Sequence, residues 1–376
     1  MADVAIIGAS FAGLACAQAA ASRGLSVRVY DRQASAGERV RTTGILVKEL
    51  ADAWEIPRVF TRKIHAVRVY APSLRFVDLC SPGHYFLSTD TRALLQWAAQ
   101  QAERAGAHLI WGAPYRGAER RGDGVRLHQD GARARILVGA DGARSTVARD
   151  WSLAVNRSLL VGAEVEVAGV EGLELDALHV FVDRALAPGY IAWAVPGVEI
   201  TQVGLAAGAG TALAPRLRGL LDRLTHICDM GRARVVGRRS GLIPVGGPLS
   251  RIARGPTLLI GDAAGWVSPL SAGGLHPAVD YGRLAGIALS DHLLDDGPEP
   301  ARVLQRHVPR YALERLLRAS FEAIDADAIV ERGLRSPLFR ALLRQIFFHH
   351  RGLLPREAWR GLREARRAER AALGPG

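Results

Sequence analysis

The chain has 376 residues, of which 49% are apolar and 23% charged. These proportions are typical of a folded globular protein and exclude a disordered or fibrous one. The three cysteines Cys16, Cys80 and Cys228 are too few and too scattered for a disulfide framework or a thiolate metal site. The histidines lack ligand spacing, and the adjacent pair His349 and His350 is interpreted as a solvated helix face, so no metal is expected.

The net charge of +12 is concentrated near the C-terminus. From Arg332 onward there are eleven arginines against three glutamates. Such a segment is either a solvated basic helix or a surface that attracts anionic partners, such as a phospholipid membrane. It lacks interleaved aromatic residues and any reader motif, so nucleic-acid binding is not expected. No apolar run reaches the ~18 residues of a membrane span, and the chain starts directly on an apolar strand. We therefore expect a cytoplasmic protein with a potential peripheral membrane contact.

The first predicted elements form a strand–helix–strand unit. An apolar strand over residues 3–8 ends at Gly8, an alanine-rich helix covers 10–23, and a second strand covers 25–31. The stretch Gly-Ala-Ser-Phe-Ala-Gly joins the first strand to the helix, with Ser10 where a second glycine is usual. Gly8 permits the tight turn and Gly13 permits close helix–strand packing, while the helix N-terminus favours a pyrophosphate. Asp31 ends the second strand, where a carboxylate accepts a hydrogen bond from an adenosine ribose.

The later elements alternate between helices and strands. A helix is predicted from 91 to 106, capped by Asp90 or Thr91, followed by a hairpin that turns at Asp130-Gly131. Short strands with Gly and Pro between them over 159–245 indicate a mixed sheet. A buried strand begins near Thr257, a long helix follows over 274–295, and the pattern is helical from Pro300 onward. There are no internal repeats, low-complexity tracts or flexible linkers, which indicates one compact, interwoven unit.

Two further turns distinguish a long cofactor from NAD. Residues 138–149, VGADGARSTVAR, place Asp141-Gly142 after a strand. Residues 258–286 place Asp262 at a strand end and Gly273-Gly274 at the start of a helix. A simple NAD-dependent dehydrogenase does not need these extra turns, whereas FAD must be held at its adenosine, pyrophosphate, ribitol and flavin.

The three segments together resemble the FAD-dependent oxidoreductases of the glutathione-reductase-like superfamily, on the branch of geranylgeranyl reductases and aromatic hydroxylases. The resemblance implies an α/β fold: a Rossmann-like FAD-binding domain, glutathione-reductase-like and p-hydroxybenzoate-hydroxylase-like, interwoven with a mixed-sheet substrate domain and a C-terminal helical segment. We predict the FAD-binding domain at 1–60, 88–155 and 252–298. We predict the substrate domain at 61–87 and 156–251, and the helical region at 299–376.

The resemblance also implies that FAD is bound non-covalently. The ADP half would be held at the glycine-rich turn and Asp31, the pyrophosphate near Arg92 and Asp141, the ribitol at Asp262, and the flavin at the helix after Gly274. The expected FAD-binding residues are Gly8, Ser10, Phe11, Ala12, Gly13, Asp31, Arg32, Arg41, Arg92, Asp141, Gly142, Gly261, Asp262, Pro269, Gly273, Gly274 and Leu275. Taken singly, Arg92 could be a surface ion-pair residue, Asp141 a turn former and Asp262 a helix cap.

On the substrate side, APGYIAWAVPG at 187–197 loosely resembles the aromatic strand motif of geranylgeranyl reductases, which lines a tunnel for the prenyl chain. Tyr190 and Trp193 match with one extra residue between them, and the alternative is that they pack a domain core. His276 is a third catalytic candidate. The reductases usually carry a cysteine just after the first strand–helix–strand unit. Here GERVRTTGILVKEL has Thr42 and Thr43 instead, so a thiol is not available there to assist protonation.

These features predict an FAD-dependent oxidoreductase. The leading hypothesis is a reductase that hydrogenates C=C bonds of an isoprenoid or other apolar substrate, with NAD(P)H or a reduced redox carrier as electron donor. The alternative is a monooxygenase that hydroxylates an aromatic or polyketide-like substrate through a flavin C4a-hydroperoxide. A flavin halogenase is a remote alternative, since Lys48 and Lys63 are the only lysines.

Overall fold

The computed structural model describes residues 1–323 and 326–348. Contacts divide the chain into two units that interleave in sequence. Unit 1 comprises Met1–Thr42, Asp90–Leu160 and Leu242–Tyr311. Unit 2 comprises Thr43–Thr89, Val161–Gly241 and Ala312–Gly376. Residues 43–60 thus lie in unit 2, and residues 299–311 lie in unit 1. The paired histidines His349 and His350, and most of the basic tail, lie outside the described residues.

Unit 1 contains an eight-stranded sheet. Its strands are β1 (Ala2–Ile7), β2 (Val27–Tyr30), β8 (His108–Ile110), β9 (Ala118–Arg121), β10 (Gly124–Leu127), β11 (Arg133–Gly139), β17 (Ala253–Arg254) and β18 (Thr257–Leu259). Its helices are α1 (Phe11–Ala21), α3 (Thr91–Arg104), α4 (Thr146–Asp150), α6 (Leu275–Leu294) and α7 (Pro300–His307), with a 3-10 turn at Gly261–Ala264.

Five strands of this sheet are parallel, in the order β8-β2-β1-β11-β18. This is the order of a dinucleotide-binding fold, in which the connections leave β1 in opposite directions. Strands β10 and β9 extend the sheet in antiparallel fashion from β11, and the hairpin turn at Asp130-Gly131 is confirmed. The predicted capping of α3 is also confirmed, since the Asp90 carboxylate accepts a hydrogen bond from the Ala93 N–H.

Unit 2 contains a seven-stranded mixed sheet in the order β16-β12-β15-β14-β13-β5-β6. These strands are β5 (Ala66–Tyr70), β6 (Phe76–Cys80), β12 (Leu159–Ala168), β13 (Ala177–Phe181), β14 (Ala192–Pro196), β15 (Thr201–Gly208) and β16 (Arg234–Pro244). A smaller sheet pairs β3 (Ile45–Val47), β7 (Phe86–Thr89) and β4 (Thr61–Ile64). The helices are α2 (Lys48–Ala53), α5 (Leu213–Leu224), α8 (Ala312–Ala323), α9 (Ala326–Gly333) and α10 (Pro337–Phe348), with a 3-10 turn at Arg58–Phe60.

Apolar side chains on the two faces of the large sheet in unit 2 form two separate clusters. Ala192 and Ala194 of β14 belong to a cluster that includes Leu217 and Leu220 of α5. Val195 of the same strand belongs to a second cluster that includes Val330 of α9 and residues of α10. Since successive side chains of a strand point to opposite faces, α5 covers one face of the sheet and α9 and α10 cover the other. The mixed-sheet domain and C-terminal helices expected from sequence are confirmed.

No helix within residues 1–323 and 326–348 combines the length and the apolar character needed to cross a bilayer.

Candidate functional site

The residues expected to bind FAD gather at one edge of the parallel sheet in unit 1. Gly8 follows β1, Asp31 follows β2, Asp141 follows β11 and Asp262 follows β18. The strands are parallel, so all four positions lie at their carboxyl ends. The order of the strands reverses between β1 and β11, and ligands of open α/β sheets bind at such a switch point.

The glycine-rich turn leaves room for backbone alone. Gly8 has φ 109°, and a methyl group on it would lie 2.3 Å from the Ala140 carbonyl oxygen. A methyl group on Gly13 would lie 1.9 Å from the Gly8 carbonyl oxygen. Substitution of either glycine therefore forces the turn apart.

The N-terminus of α1 presents donors from that turn. Ser10 is the N-cap residue; it is exposed, and its hydroxyl makes no capping hydrogen bond. Phe11 and Ala12 bury their side chains, so a ligand could approach these two residues only from the backbone side. These first-turn N–H groups and the positive end of the helix dipole favour a phosphate.

Asp31 is fixed by two backbone hydrogen bonds. Its Oδ2 accepts from the Ala9 N–H at 2.7 Å, and its Oδ1 accepts from the Gln33 N–H at 2.8 Å. The carboxylate is thereby held at the end of β2 beside the glycine-rich turn, and each oxygen keeps a further lone pair for a ribose hydroxyl.

Arg41 lies close enough to Asp31, Arg32 and Arg39 to interact with their charges. Burial and the neighbouring Arg32 lower the pKa of Arg41, while Asp31 acts in the opposite direction. Like charges held close together indicate a place where an anion would be stabilised. Arg92, at the start of α3, is close to the same loop, because a methyl group on Gly37 would lie 3.0 Å from the Arg92 Cγ.

Asp141 accepts hydrogen bonds from the first turn of α4 through only one of its two carboxylate oxygens. Its Oδ2 accepts from the N–H groups of Thr146 and Val147 at 2.6 and 3.2 Å. Its Oδ1 is buried and has no hydrogen-bond partner among the described residues. Gly142 has φ 86°, which a turn at this point requires. The turn-forming interpretation and a ligand contact through Oδ1 are therefore compatible.

Asp262 lies in the 3-10 turn after β18. Burial raises the pKa of its carboxyl to about 6. A methyl group on Gly261 would lie 2.7 Å from the Ala12 Cβ, and one on Gly274 would lie 3.4 Å from the Asp262 Oδ1. Asp262 therefore lies near both the start of α1 and the start of α6.

A side chain that the sequence analysis missed joins two of these turns. The Asn156 amide donates to the Ala143 carbonyl at 3.1 Å and to the Asp262 carbonyl at 2.8 Å. Asn156 precedes β12, in a segment with no recognisable motif. No local signal in the sequence could have found it.

Helices α1 and α6 run parallel in close contact. A methyl group on Gly282 would lie 2.6 Å from the Ala12 carbonyl oxygen, and one on Gly286 would lie 2.5 Å from the Cys16 carbonyl oxygen. The paired positions advance together along both helices, so both N-termini point the same way. Ala12 is the second residue of α1, whereas Gly282 is the eighth residue of α6. At a rise of about 1.5 Å per residue, the N-terminus of α6 therefore extends about 9 Å beyond that of α1.

This offset suits FAD. The start of α1 would take the pyrophosphate, and the start of α6 after Gly274 would take the flavin, where its dipole stabilises negative charge. Pro269, Gly273 and Leu275 belong to the segment that leads into α6. His276 lies in the first turn of α6, and its Nε2 is 2.7 Å from the Asp280 Oδ2 of the same helix. This contact within one helix is typical of a structural histidine.

The two aromatic candidates of unit 2 have different surroundings. The Trp193 Nε1 donates to the Glu164 Oε2 at 2.9 Å, and Gly204 leaves room for the indole. Trp193 is partly buried and packs against the apolar cluster that α9 and α10 cover, as do Ile45, Val47 and Ile191. This partly exposed apolar surface is the best candidate for an isoprenoid contact within unit 2.

Tyr190 is buried elsewhere in unit 2. Its ring lies 5.6 Å from the Arg318 guanidinium carbon, and it lines a small pocket together with Arg184 and Asp327. Burial raises the pKa of its hydroxyl, so the phenol stays neutral. Tyr190 and Trp193 therefore contact different residues and do not form one aromatic pair.

Comparison with known proteins finds one matching family model and several similar reductases. A family model described as an NAD(P)-binding Rossmann-like domain matches residues 6–74. Digeranylgeranylglycerophospholipid reductase 2 of Methanopyrus kandleri is 32% identical over 331 residues, which are 83% of this chain and 82% of that protein.

Solved structures share the fold. A geranylgeranyl bacteriochlorophyll reductase-like protein from Thermoplasma acidophilum superimposes with a TM-score of 0.80 at 18% identity, over 97% of this chain and 99% of the other. The flavin-dependent brominase Bmp2 superimposes with a TM-score of 0.69 at 16% identity, over 99% and 98% of the two chains. At these identities the likeness is one of fold alone.

Proposed function

This chain belongs to the digeranylgeranylglycerophospholipid reductase family, and we propose that it hydrogenates carbon–carbon double bonds in the isoprenoid chains of a lipid. It is an FAD-dependent oxidoreductase. The observation that carries the proposal is the 32% identity to a reductase of this name over 331 residues. That alignment is longer than either unit, so it includes both the dinucleotide-binding fold and the mixed-sheet unit.

The residues of unit 1 fit the cofactor. Gly8 and Gly13 form a cradle that a Cβ would fill, and the buried Asp141 Oδ1 has no protein partner among the described residues. We assign the adenosine ribose to Asp31, the pyrophosphate to the start of α1 with Arg41 and Arg92 nearby, and the ribitol to Asp262. When bound and reduced, FAD supplies hydride to the substrate.

The residues of unit 2 would bind and orient the apolar chain. Trp193 and its neighbours Ile45, Val47 and Ile191 offer partly exposed apolar surface, which excludes water from a prenyl chain. The indole is held in one orientation by its hydrogen bond to Glu164, so the surface is preformed.

The C-terminal region would give access to a substrate that resides in a membrane. Leu338 and Leu342 of α10 are 62% and 46% exposed and lie one helical turn apart, on the same face. Between Arg332 and Phe348 there are four arginines and no carboxylate. An exposed apolar face beside cationic side chains is typical of helices that lie on anionic bilayers.

A single-turnover experiment tests the reductase proposal. The FAD-loaded enzyme is reduced anaerobically and mixed with a phospholipid that carries geranylgeranyl ether chains. We expect the absorbance of oxidised FAD to return in proportion to the double bonds lost. Flavin that remains reduced in the presence of this lipid would rule out the proposal.

A further inference from the structure

Asn156 is the only asparagine among the 376 residues of the chain. Asparagine is usually favoured in turns and at helix starts, yet the helix starts of this chain use other residues, such as Ser10, Asp90 and Ser145. The composition of the whole sequence, rather than a local motif, therefore indicates that position 156 requires a property that serine and aspartate lack.

That property is a pair of N–H donors on one short side chain. The Asn156 Nδ2 lies 3.1 Å from the Ala143 carbonyl oxygen and 2.8 Å from the Asp262 carbonyl oxygen. Aspartate has no N–H donor and serine has a single hydroxyl donor, so neither could bridge two carbonyl groups in this way. Glutamine has both donors, but on a side chain longer by one methylene.

The bridge joins two turns of unit 1, which also contains Asn156. Ala143 belongs to the turn after β11 that includes Asp141, and Asp262 belongs to the 3-10 turn after β18. The Asp262 carbonyl oxygen also accepts from the Gly265 N–H at 3.1 Å. A methyl group on Gly265 would lie 3.1 Å from the Asn156 Oδ1, so the amide packs closely against the end of the 3-10 turn.

The two turns differ in what else holds them. The Asp141 Oδ2 accepts from two N–H groups of α4, and the Ala140 N–H donates to the Ile7 carbonyl oxygen of β1 at 2.8 Å. The 3-10 turn starts at Ile260, which makes no side-chain capping hydrogen bond. Loss of the Asn156 amide should therefore free the turn that contains Asp262 and leave the other turn in place.

We propose that Asn156 is a positioning residue for FAD, which holds the turn that contains Asp262 at a fixed separation from the turn that contains Asp141. This inference rests on the assignment of FAD groups made for the proposed function. The pyrophosphate and the ribitol are parts of one molecule, so the groups that bind them contribute together only if they are held at a matching separation. Asn156 acts through Asp262 rather than as a ligand of FAD.

Binding of FAD and of ADP to the full-length chain, freed of cofactor, separates positioning from a general structural role. ADP has the adenosine and the pyrophosphate but no ribitol, so Asp262 contributes nothing to its binding. In calorimetric titrations we expect Asn156→Ala to weaken FAD binding by about tenfold, the effect of losing one hydrogen bond. Binding of ADP should stay at the wild-type affinity. An equal loss for both ligands, or no loss for FAD, would overturn the proposal.

Two further variants complete this comparison. Asn156→Ser keeps one donor and should lose less FAD affinity than Asn156→Ala; if the alanine variant fails to fold, the serine variant decides by the same comparison of FAD with ADP. The matched control is Ser290→Ala, which removes a buried hydrogen bond to the Gly286 carbonyl oxygen near the C-terminus of α6. It should leave the affinities for both ligands unchanged.

A double-mutant cycle shows whether Asn156 acts through Asp262. Asp262→Ala should weaken FAD binding, because it removes the ribitol contact. In that background Asn156→Ala should cause little further loss, because the carboxylate that the amide positions is gone. Fully additive losses would show that the amide supports the fold in general and would refute the positioning role.

These titrations need no turnover, so they separate the inference from the reductase function. Selective loss of FAD affinity in the Asn156 variants supports the positioning role even if the wild type saturates no lipid, a result that would remove the reductase function alone. A wild-type chain that does not bind FAD would overturn both.

Discussion

At the scale of single residues, Asp262 gives the site a measurable pH dependence. The folded pKa of about 6 lies above the usual aspartate value, so the charged form is disfavoured in the folded chain. The free energy of unfolding of the cofactor-free protein should therefore decrease as pH rises from about 4 through 6, by about 2 kcal/mol from this group.

Asp262→Asn should remove that decrease. Chemical denaturation across this pH range measures the free energy of unfolding of the wild type and the variant. The matched control is Asp222→Asn, which changes an exposed aspartate on α5. If both variants keep the wild-type pH dependence, the fall in stability does not come from Asp262. Added FAD should lower the pKa of Asp262, because a hydroxyl donor favours the charged carboxylate.

Sequence reasoning predicts some of these residues and misses others for a physical reason. Gly8, Asp31 and Asp262 could be placed because each ends a buried strand, and carboxyl ends of parallel strands meet at one edge. Glu164 was missed because its partners come from distant segments of the chain. The only signal was a pair of glutamates, Glu164 and Glu166, within the otherwise apolar strand VGAEVEVAG, and this pattern does not name their partners.

At the scale of elements, the contact between α1 and α6 sets where the two helix N-termini lie. The sequence predicts both helices to within a residue or two, since their ends are marked by Gly8, Gly24 and Gly274. Their mutual packing was not predicted, although Gly282 and Gly286 have the spacing that lets two helices approach closely.

A substitution in this contact should weaken both stability and cofactor binding. Gly286→Ala would place a methyl group 2.5 Å from the Cys16 carbonyl oxygen, so α6 must shift away from α1. We expect a loss of about 1 to 3 kcal/mol in the free energy of unfolding and weaker FAD binding in a fluorescence titration. Arg283→Ala, at an exposed position of the same helix, should change neither. Equal behaviour of the two variants would contradict the packing argument.

At the scale of the whole molecule, the chain passes five times from one unit to the other. The absence of a linker or repeat predicted one compact, interwoven unit, whereas the chain forms two units that interleave in sequence. The exact crossing points lie inside or beside strands, such as β12 and β16, where hydrophobic periodicity does not change. Local sequence patterns therefore give no sign of them.

The exposed face of α10 leads to a prediction for the intact protein. Sedimentation with lipid vesicles should show binding to anionic vesicles and little to neutral ones, with weaker binding at high salt. Replacing both Leu338 and Leu342 with aspartate should abolish it, since these side chains are exposed and their loss costs little packing. Replacing the exposed Val235 and Val236 of β16 with aspartate provides the control. Binding that survives the leucine changes would show that another surface contacts the membrane.

The most direct measurement of the central claim is the mass of the product formed with and without oxygen. Reduced enzyme is incubated with the geranylgeranyl phospholipid anaerobically and, in parallel, under heavy-isotope oxygen gas. We expect the same product in both cases, heavier by two hydrogen atoms for each double bond and free of the oxygen label. A product that forms only with oxygen and carries a labelled oxygen atom would contradict the account and identify a monooxygenase.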